Sequence, residues 1–592
     1  MLLSSLQPLL FLARSYDYII VGGGTAGLTL AGRLCSDPSV TVGVLEAGPD
    51  AHNDPLVYIP GFYGYPQRSS GYGPDDSPLD WGFRTEPQPH VDNRRMPWSR
   101  GKMLGGSSAL NYMIWDVPSA PEYDAYATHG NAPGWNWCTV SAAVNKAWRA
   151  IQPGVLTGQA GELSVQKFVT PGTELFAPTL KKLGVKVNPN PLSGDAIGTY
   201  DSPASILNGA STRSYSVSAY LLPNAHRDNL VVLPGATGAR VVLDASNRAI
   251  GMEFLDCSGR NHTAFLNPDG EVVLSAGSTQ TPQLLELSGI GKKSVLDAVG
   301  IPVRVRNDNV GEDLQDHLFA PLVYEITPGI PTRDLLLTSL PFLATAEANY
   351  TNHRDGILSS GISALSFVPL TNVMDPPALS RLIAETKLSK PSVDPFSTFT
   401  LPYSPQHRDA NKVAQLEFLF GNYKVTPGPR EVGKSYISIW ACLLHPLSRG
   451  SIHISSRDPL VPPVIDPQYY SEAVDRAVML AGVKFADKIA NTAPLSGIIK
   501  RRVDLPPGRL TDQQLWAYTK KVTQSIWHPV ASAAMGKVVD DRLRVFGVKG
   551  LRVVDASIAP LLISAHSQAT VYGIAELAAE IMKEDRRRKT CF

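Results

Sequence analysis

Residues 16–48 read YDYIIVGGGTAGLTLAGRLCSDPSVTVGVLEAG, and this stretch decides the fold. The apolar run 18–21 predicts a buried strand, the apolar spacing within 28–34 predicts a helix, and the run 40–45 predicts a second strand. A strand, a helix and a strand in this order form a βαβ unit, whose two strands lie parallel in one sheet. The stretch therefore predicts an α/β fold built on a parallel sheet.

The turn between the first strand and the helix has the pattern Gly22-x-Gly24-x-x-Gly27, and Glu46 follows 19 residues after the last glycine. Between a strand and a helix, with an acid at the end of the next strand, this pattern indicates dinucleotide binding. Gly22 permits the tight turn, and Gly24 lets the backbone approach a pyrophosphate. Glu46 is expected to accept hydrogen bonds from a ribose without a 2′-phosphate. FAD and NAD both fit this pattern.

Length and composition narrow the class of protein. The chain has 592 residues, and single cores stop growing at about 250–300 residues, so two domains are expected. Its 54 Lys and Arg are balanced by 53 Asp and Glu, so no net field recruits nucleic acid or an acidic membrane. No stretch approaches the ~20 apolar residues of a membrane span, and the five cysteines lack metal-ligand spacing. We expect a soluble monomer or homodimer that binds a small molecule and no metal.

Weaker signals concern the location of the protein, its glycosylation and its C-terminal end. Residues 1–15 are apolar but lack the basic region of a secretory signal. Acceptor tripeptides for N-glycosylation begin at Asn261 and Asn349. The apolar start and the two acceptor tripeptides favour a secreted glycoprotein, with a cytoplasmic protein as the alternative. The basic run RRRK at 586–589 is expected to be a frayed, solvated end.

Two further segments identify the cofactor by resemblance. Residues 101–124 read GKMLGGSSALNYMIWDVPSAPEYD, and residues 277–291 read GSTQTPQLLELSGIG. Together with the glycine pattern they resemble the signature segments of the glucose-methanol-choline (GMC) family of FAD oxidoreductases. Other segments that resemble this family, in its order along the chain, are 213–221, 310–317, 445–452, 458–470, 528–536 and 551–576. The resemblance thus covers nearly the whole chain.

The resemblance implies a mixed α/β fold with two parts. One is a doubly wound, Rossmann-like FAD-binding domain, expected to be discontinuous and to comprise residues 14–160, 205–320 and 510–592. The other is a substrate-binding domain built on an antiparallel sheet with helices, expected at residues 161–204 and 321–509.

The resemblance also implies the catalytic pair. The family places the histidine of a His-Pro motif, and a His or Asn further along the chain, in front of the flavin. The matching residues here are His528 and His566. Oxidising an alcohol by hydride transfer to flavin N5 releases a hydroxyl proton, which a neutral imidazole can accept. We expect His528 to be the base and His566 the hydrogen-bonding partner, with these roles open to exchange. Trp527 is expected either to wall the substrate pocket or to pack in the core.

The family's FAD contacts carry over by position. The expected contact residues are Gly22, Gly24, Thr25, Ala26, Gly27, Glu46, Gly105, Gly106, Ser107, Asn111, Asp555, Ala556, Gln568, Ala569, Thr570 and Val571. Residues 568–571 are expected to open a helix whose dipole faces the flavin. Leu110 occupies the position at which some members carry a histidine bonded to the flavin, so the FAD is expected to be non-covalent.

The chain departs from the family pattern at three places. Ala531-Ser532 replaces Gly-Thr after the catalytic His-Pro-Val, Val117-Pro118 replaces Arg-Gly after the first signature, and Gly238 replaces a valine that commonly lies against the adenine. None of these changes removes a catalytic residue.

The substrate is the least determined feature. Paired histidines resemble aryl-alcohol or sugar oxidisers more than choline oxidisers, which commonly place Asn at the second position. We favour an aromatic or otherwise unsaturated primary alcohol, oxidised to the aldehyde. A sugar oxidase or dehydrogenase is the nearest alternative. A non-redox flavoprotein, such as a hydroxynitrile lyase or a dehydrative cyclase in natural-product synthesis, is the other. Oxygen or another electron acceptor would take the electrons, and no motif decides between oxidase and dehydrogenase.

Overall fold

The computed structural model describes residues 11–63, 77–150, 163–165, 172–207, 209–362, 364–389, 411–508 and 510–590. Residues 1–10, on which part of the secretion hypothesis rests, and the expected domain boundary at 160–161 lie outside these ranges. The strands of the two large sheets are β1 (Ser15–Val21), β2 (Val42–Glu46), β3 (Gly198–Asp201), β4 (Leu230–Pro234), β5 (Thr237–Leu243), β6 (Ala249–Leu255), β7 (Asn261–Leu274), β8 (Leu318–Ile326), β9 (Ala364–Val368), β10 (Leu416–Gly421), β11 (Ser435–Leu443), β12 (Ile499–Arg502), β13 (Gln524–Ser525) and β14 (Leu551–Val553).

The α-helices lie around these sheets. They are α1 (Thr25–Leu34), α2 (Pro55–Tyr58), α3 (Ala120–His129), α4 (Trp137–Ala147), α5 (Phe176–Lys182), α6 (Gly277–Leu287), α7 (Lys293–Ala298), α8 (Leu335–Thr338), α9 (Leu340–His353), α10 (Pro376–Ser389), α11 (Ala473–Ala490), α12 (Asp512–Val522) and α13 (Ser567–Thr590). In the described part of the chain, no helix combines the length and the apolar character that crossing a bilayer requires.

The first large sheet, sheet 1, contains the predicted βαβ unit. Its strand order is β4-β2-β1-β7-β6-β5, with β14 also paired to β7. The pairs β4–β2, β2–β1, β1–β7 and β7–β14 are parallel, whereas β6 pairs antiparallel with both β5 and β7. Most of β1 and all of β2 are buried, as their apolar runs require. The predicted parallel sheet is confirmed, with β1 beginning earlier and β2 later than the apolar runs suggest.

Parallel pairing brings the ends of distant strands to one edge. β1 ends at Val21, β2 at Glu46, β7 at Leu274 and β14 at Val553. In parallel sheets, ligands bind in the crevice at the carboxyl ends of the strands. The loops that follow these four strands therefore meet where a cofactor is expected.

The second large sheet, sheet 2, is antiparallel throughout. Its strand order is β12-β8-β11-β10-β9-β3, with β13 also paired to β8. β8 and β11 are buried along their whole length, and α11 packs against both of them. The predicted antiparallel sheet with helices is confirmed. The division of the chain into the two domains stays a prediction.

The C-terminal helix corrects one expectation. α13 runs to Thr590, so the prediction of a frayed end at 586–589 is wrong. Arg586 Nη1 lies 3.1 Å from Asp17 Oδ1, and Lys589 Nζ lies 3.2 Å from Glu271 Oε1. These ion pairs join the basic run to sheet 1, whose acidic residues no local sequence pattern indicates.

Candidate active site

A cavity lies between the carboxyl edge of sheet 1 and sheet 2. It encloses about 1820 Å³ of space free of protein atoms, part of it open to solvent. The loops after β1, β2 and β7 line one end, and Leu419 of β10 and Trp440 of β11 line the other. The cavity thus joins the expected cofactor-binding edge to the second sheet.

Two glycine turns press against each other at the sheet 1 end. Gly22 has φ +107°, and a Cβ there would lie 2.4 Å from the carbonyl oxygen of Ser275. Gly106 has φ +50°, and a Cβ there would lie 2.8 Å from Gly24 Cα. Gly24 itself is open, since its Cβ would meet only Gly106 Cα at 3.7 Å. Side chains would close this cradle, whereas bare backbone leaves room for a pyrophosphate next to the first turn of α1.

Glu46 ends β2 at the same edge. Its two carboxylate oxygens accept hydrogen bonds from the backbone N–H of Gly23 and of Gly48, each at 2.8 Å. Burial raises the pKa of Glu46 to about 7, against the lowering effect of those two bonds. The bonds fix the carboxylate towards the cavity that it lines, in the position in which a ribose hydroxyl could donate to it.

Polar side chains continue along the cavity towards α13. Asn111 Nδ2 donates to Gln568 Oε1 at 2.5 Å, and Arg213 Nη1 donates to Asn111 Oδ1 at 2.8 Å. Asp555 Oδ2 accepts from the backbone N–H of Gly277 at 2.9 Å. From the adenosine end of FAD to its flavin end, the carboxylate fits the ribose, the glycine cradle fits the pyrophosphate, and the start of α13 fits the flavin ring.

Most of the expected FAD contacts meet at this cavity. The lining includes Gly22, Gly24, Thr25, Ala26, Glu46, Gly106, Ser107, Asn111, Asp555, Ala556, Gln568 and Val571. Gly27, Gly105, Ala569 and Thr570 lie outside the lining. Gly27 packs on the carbonyl of Gly22 and Gly105 on the ring of Tyr215, Ala569 is buried, and the Thr570 hydroxyl bonds Tyr123. These four residues thus pack against neighbouring parts of the chain and do not line the cavity.

The two expected catalytic histidines lie side by side in the cavity lining. The ring centroids of His528 and His566 are 5.0 Å apart, and the ring planes meet at 84°. The loop that carries His528 follows β13, and His566 directly precedes α13. Residues from different parts of the chain thus converge on one point.

His566 is held by two acids. Its Nδ1 lies 2.8 Å from Asp116 Oδ2, its backbone N–H donates to Asp116 Oδ1 at 2.9 Å, and its Nε2 lies 3.8 Å from Glu417 Oε1. Burial disfavours the imidazolium, but the charges of the two carboxylates outweigh it and raise the pKa of His566 to about 9. His566 is therefore a hydrogen-bond donor at neutral pH.

His528 has the opposite surroundings. Burial lowers its pKa well below the ordinary value, and the positive charges of His566 and Arg100 lower it further. Its backbone N–H donates to Asp316 Oδ1 at 2.8 Å, and its Nδ1 lies 2.9 Å from Nδ1 of His317. His528 is therefore a neutral imidazole at neutral pH, able to accept a proton.

Four of these neighbours were not singled out in the sequence. Asp316 and His317 are the last two residues of the segment 310–317, and Asp116 lies within the segment 101–124. Each of these two segments resembles a segment of the family. Glu417 interrupts the buried run LEFLFG of β10, and a lone acid in an apolar strand is a signal that could have been used. The described residues contain no group of three or more His, Cys, Asp or Glu side chains able to hold a metal ion.

The cavity is apolar and aromatic beside the histidines. Its lining there includes Tyr112, Met113, Leu419, Trp440, Ile526 and Trp527. The rings of Tyr112 and Trp527 are 6.1 Å apart, and those of Tyr112 and Trp440 are 6.4 Å apart. Trp527 lies next to His528 in the left-handed region, with φ +62°, which is unusual for a bulky residue. Of the two expectations for Trp527, the wall of the cavity matches its position.

The departures from the family pattern have visible consequences. Ala531 adopts φ +72°, a conformation that suits the glycine of the usual motif better. A Cβ at Gly238 would lie 2.7 Å from Val21 Cγ1, so this chain has no room for the usual valine without repacking. Leu110 lines the cavity and offers no nitrogen to a flavin.

The fold combines a parallel sheet of the dinucleotide-binding type with an antiparallel second sheet, and two imidazoles lie in the cavity between them. These features are typical of a cofactor-dependent oxidoreductase. Two family models, both described as GMC oxidoreductase, match residues 16–319 and 446–575. The chain therefore belongs to the GMC oxidoreductase family, whose members depend on FAD, and the predicted membership is confirmed.

Similar proteins and structures cover nearly the whole chain. "Dehydrogenase mpl7" of Monascus purpureus is 35% identical over 613 aligned positions, with 97% of this chain and 97% of that protein covered. The structure of a formate oxidase has a TM-score of 0.84 and 25% identity, and covers 97% of this chain and 99% of its own. The structure of a fungal aryl-alcohol oxidase has a TM-score of 0.81 and 27% identity, with the same coverage.

Proposed function

We propose that this protein oxidises an aromatic or otherwise unsaturated primary alcohol to the aldehyde, with non-covalent FAD as its cofactor. The observation that carries the proposal is the pair His528 and His566, whose pKa values are moved in opposite directions at the aromatic part of the cavity. Groups whose environments separate their pKa values are assigned the acid and base roles at a site.

The two histidines divide the handling of the hydroxyl group. His528, kept neutral by its surroundings, takes the hydroxyl proton. General base catalysis of this kind typically raises the rate of a reaction by roughly 10²–10⁴-fold. His566, kept protonated by Asp116 and Glu417, donates a hydrogen bond to the oxygen as negative charge develops on it. When bound, the flavin supplies the oxidising power by accepting a hydride. The chain's own residues orient the alcohol and move its proton.

The lining of the cavity supports an aromatic or unsaturated substrate. Tyr112, Trp440 and Trp527 offer flat apolar surfaces next to the histidines, and such rings favour stacked or edge-on contacts with another ring. A sugar needs several hydrogen-bonding partners. Glu417, the acid of sheet 2 beside the histidines, is buried behind His566 and does not line the cavity, so it is not placed to bind a sugar hydroxyl. The solved structure of an aryl-alcohol oxidase among the similar folds agrees with this preference.

The test is anaerobic. The yellow enzyme is mixed with benzylic, allylic, furanic, aliphatic and sugar alcohols, and bleaching of the flavin absorbance is followed. Bleaching by the benzylic or allylic alcohols supports the proposal, and admission of air then distinguishes oxygen from another acceptor. If dithionite bleaches the flavin but no alcohol does, the redox proposal is contradicted. In that case product analysis with cyanohydrins and polyketide alcohols tests the lyase and cyclase alternatives.

We also propose that the protein enters the secretory pathway and is glycosylated. Both acceptor asparagines, Asn261 and Asn349, are exposed, as an N-linked glycan requires. Expression of the full chain in a eukaryotic secretory host, followed by glycosidase treatment, tests this. A mass loss after treatment is expected, and retention of an unglycosylated protein inside the cell would contradict it.

A further inference from the structure

A third histidine contacts the proposed base directly. His317 lies just before β8, has 1% of its surface exposed, and brings its Nδ1 to 2.9 Å from Nδ1 of His528. The two ring centroids are 5.2 Å apart, with the planes at 78°. Between two identical ring nitrogens, one must carry the proton and donate while the other accepts. The position of that single proton therefore fixes the tautomer of both rings.

The proposed role of His528 decides where that proton is. To accept a proton from the alcohol, the nitrogen of His528 that does not contact His317 must hold a free electron pair, so the proton between the rings lies on Nδ1 of His528. Neutral His317 then accepts through its Nδ1 and carries its own proton on Nε2, which is buried and has no hydrogen-bond partner among the described residues. The backbone carbonyls of Leu444 and Ile563 act on the ring of His317, and carbonyl oxygens attract an N–H rather than a bare electron pair.

We propose that His317 is a positioning residue that holds His528 in the tautomer with its proton on Nδ1 and a free electron pair on Nε2. This inference rests on the proposed function, in which His528 accepts the proton of the alcohol. With Nδ1 committed to His317, the nitrogen of His528 that is left for the substrate is a base. The opposite tautomer would present an N–H there and could not accept the proton.

The electrostatics of the pair agree with this arrangement. Burial, followed by the charges of His445 and His566, lowers the pKa of His317 well below its ordinary value, so its ring is neutral. The backbone bond from His528 to Asp316 Oδ1 at 2.8 Å fixes the loop independently of the ring. After proton transfer, the N–H of His528 on Nδ1 still points at an acceptor, which stabilises the imidazolium.

Two substitutions at one position separate an acceptor role from mere packing. The amide oxygen of His317→Asn can occupy the place of Nδ1 and accept, whereas the side chain of His317→Leu cannot. We expect His317→Asn to keep the rate of flavin reduction within about tenfold of the native rate, and His317→Leu to lose about 10²-fold or more. We expect both to retain bound FAD and the substrate dissociation constant. His317→Leu should also show a larger solvent deuterium isotope effect on reduction, because removal of the hydroxyl proton becomes limiting. Equal rate losses in both variants, or no loss in either, would overturn the proposal.

A direct observation of the proton separates this inference from the proposed function. Neutron diffraction from the native holoenzyme, exchanged into heavy water at neutral pH, should place deuterium on Nδ1 of His528 and on Nε2 of His317. Deuterium on Nδ1 of His317 instead would overturn the inference, even if alcohols bleach the flavin. The expected positions in an enzyme that no alcohol reduces would contradict the proposed function alone.

Discussion

His528 and His566 lie with ring centroids 5.0 Å apart and planes at 84°, yet their pKa values are displaced in opposite directions. Asp116 Oδ2, 2.8 Å from Nδ1 of His566, helps to keep that ring protonated. No carboxylate contacts the ring of His528 in the described part of the chain, and Arg100 adds a positive charge near it. The carboxylates of Asp116 and Glu417 beside one ring thus separate the pKa values of two identical residues.

Replacing His528 removes the proposed base. We expect His528→Ala to bind FAD but to lose about 10²–10⁴ in the rate of flavin reduction by an alcohol, measured by anaerobic stopped-flow absorbance. His262→Asn is the matched control, since His262 pairs with Asp256 away from the cavity, and it should reduce at the native rate. A near-native rate for His528→Ala would contradict its assignment as the base.

The acid beside His566 should control the alkaline side of the pH profile. With its pKa raised to about 9, His566 is protonated below that pH, so the rate of flavin reduction should fall as pH rises through about 9. In Asp116→Asn the carboxylate charge is lost, and Glu417 is left as the acid that favours the imidazolium. The fall should then occur at least about one pH unit lower.

The control for this shift is the same substitution on a neighbouring helix. Asp124→Asn on α3 changes an exposed acid outside the cavity lining and should leave the pH profile in place. An alkaline limb at the same pH in Asp116→Asn and the native enzyme would show that another group controls it.

The sequence predicted the elements whose signals are local. The strand, glycine turn and helix at residues 16–34 were found because apolar spacing and turn chemistry act over a few residues. Asp116 and His566 are 450 residues apart, and nothing in either segment states that they meet. The motifs indicate both proposed catalytic histidines by resemblance, but their separated pKa values depend on the acids that long-range folding brings to one of them.

His317 and the end of α13 are two further places where the contacts that matter join residues distant in the sequence. The motif 310–317 resembles a family segment, but the role of its last residue depends on a ring 211 residues away. Local charge predicts a frayed end for the basic run 586–589, because its partners, Asp17 and Glu271, lie on the distant strands β1 and β7. Local charge patterns do not reveal partners of this kind.

The glycine cradle makes a prediction about cofactor binding. In Gly106→Ala the new Cβ would lie 2.8 Å from Gly24 Cα at φ +50°, so the two turns must move apart. A left-handed alanine alone costs about 1–2 kcal/mol, and we expect the FAD dissociation constant to rise at least about tenfold. The measurement is the ratio of flavin to protein absorbance after dialysis, followed by titration with FAD. Gly134→Ala, whose Cβ would meet nothing within 4 Å, should keep its flavin. Full retention of FAD by Gly106→Ala would contradict the placement of the pyrophosphate between the two turns.

The side chain at position 110 makes the last prediction, which concerns how the flavin is held. Leu110 lines the cavity, and its hydrocarbon side chain can form no bond to a flavin ring. Acid precipitation of the holoenzyme should therefore leave a colourless pellet and release intact FAD, recognised in the supernatant by its absorbance and mass. A yellow pellet that survives repeated acid washing would mean that a different residue bonds the cofactor, and peptide mapping would then identify it. The same supernatant also distinguishes FAD from any other dinucleotide, so a single experiment tests both the identity of the cofactor and its non-covalent attachment.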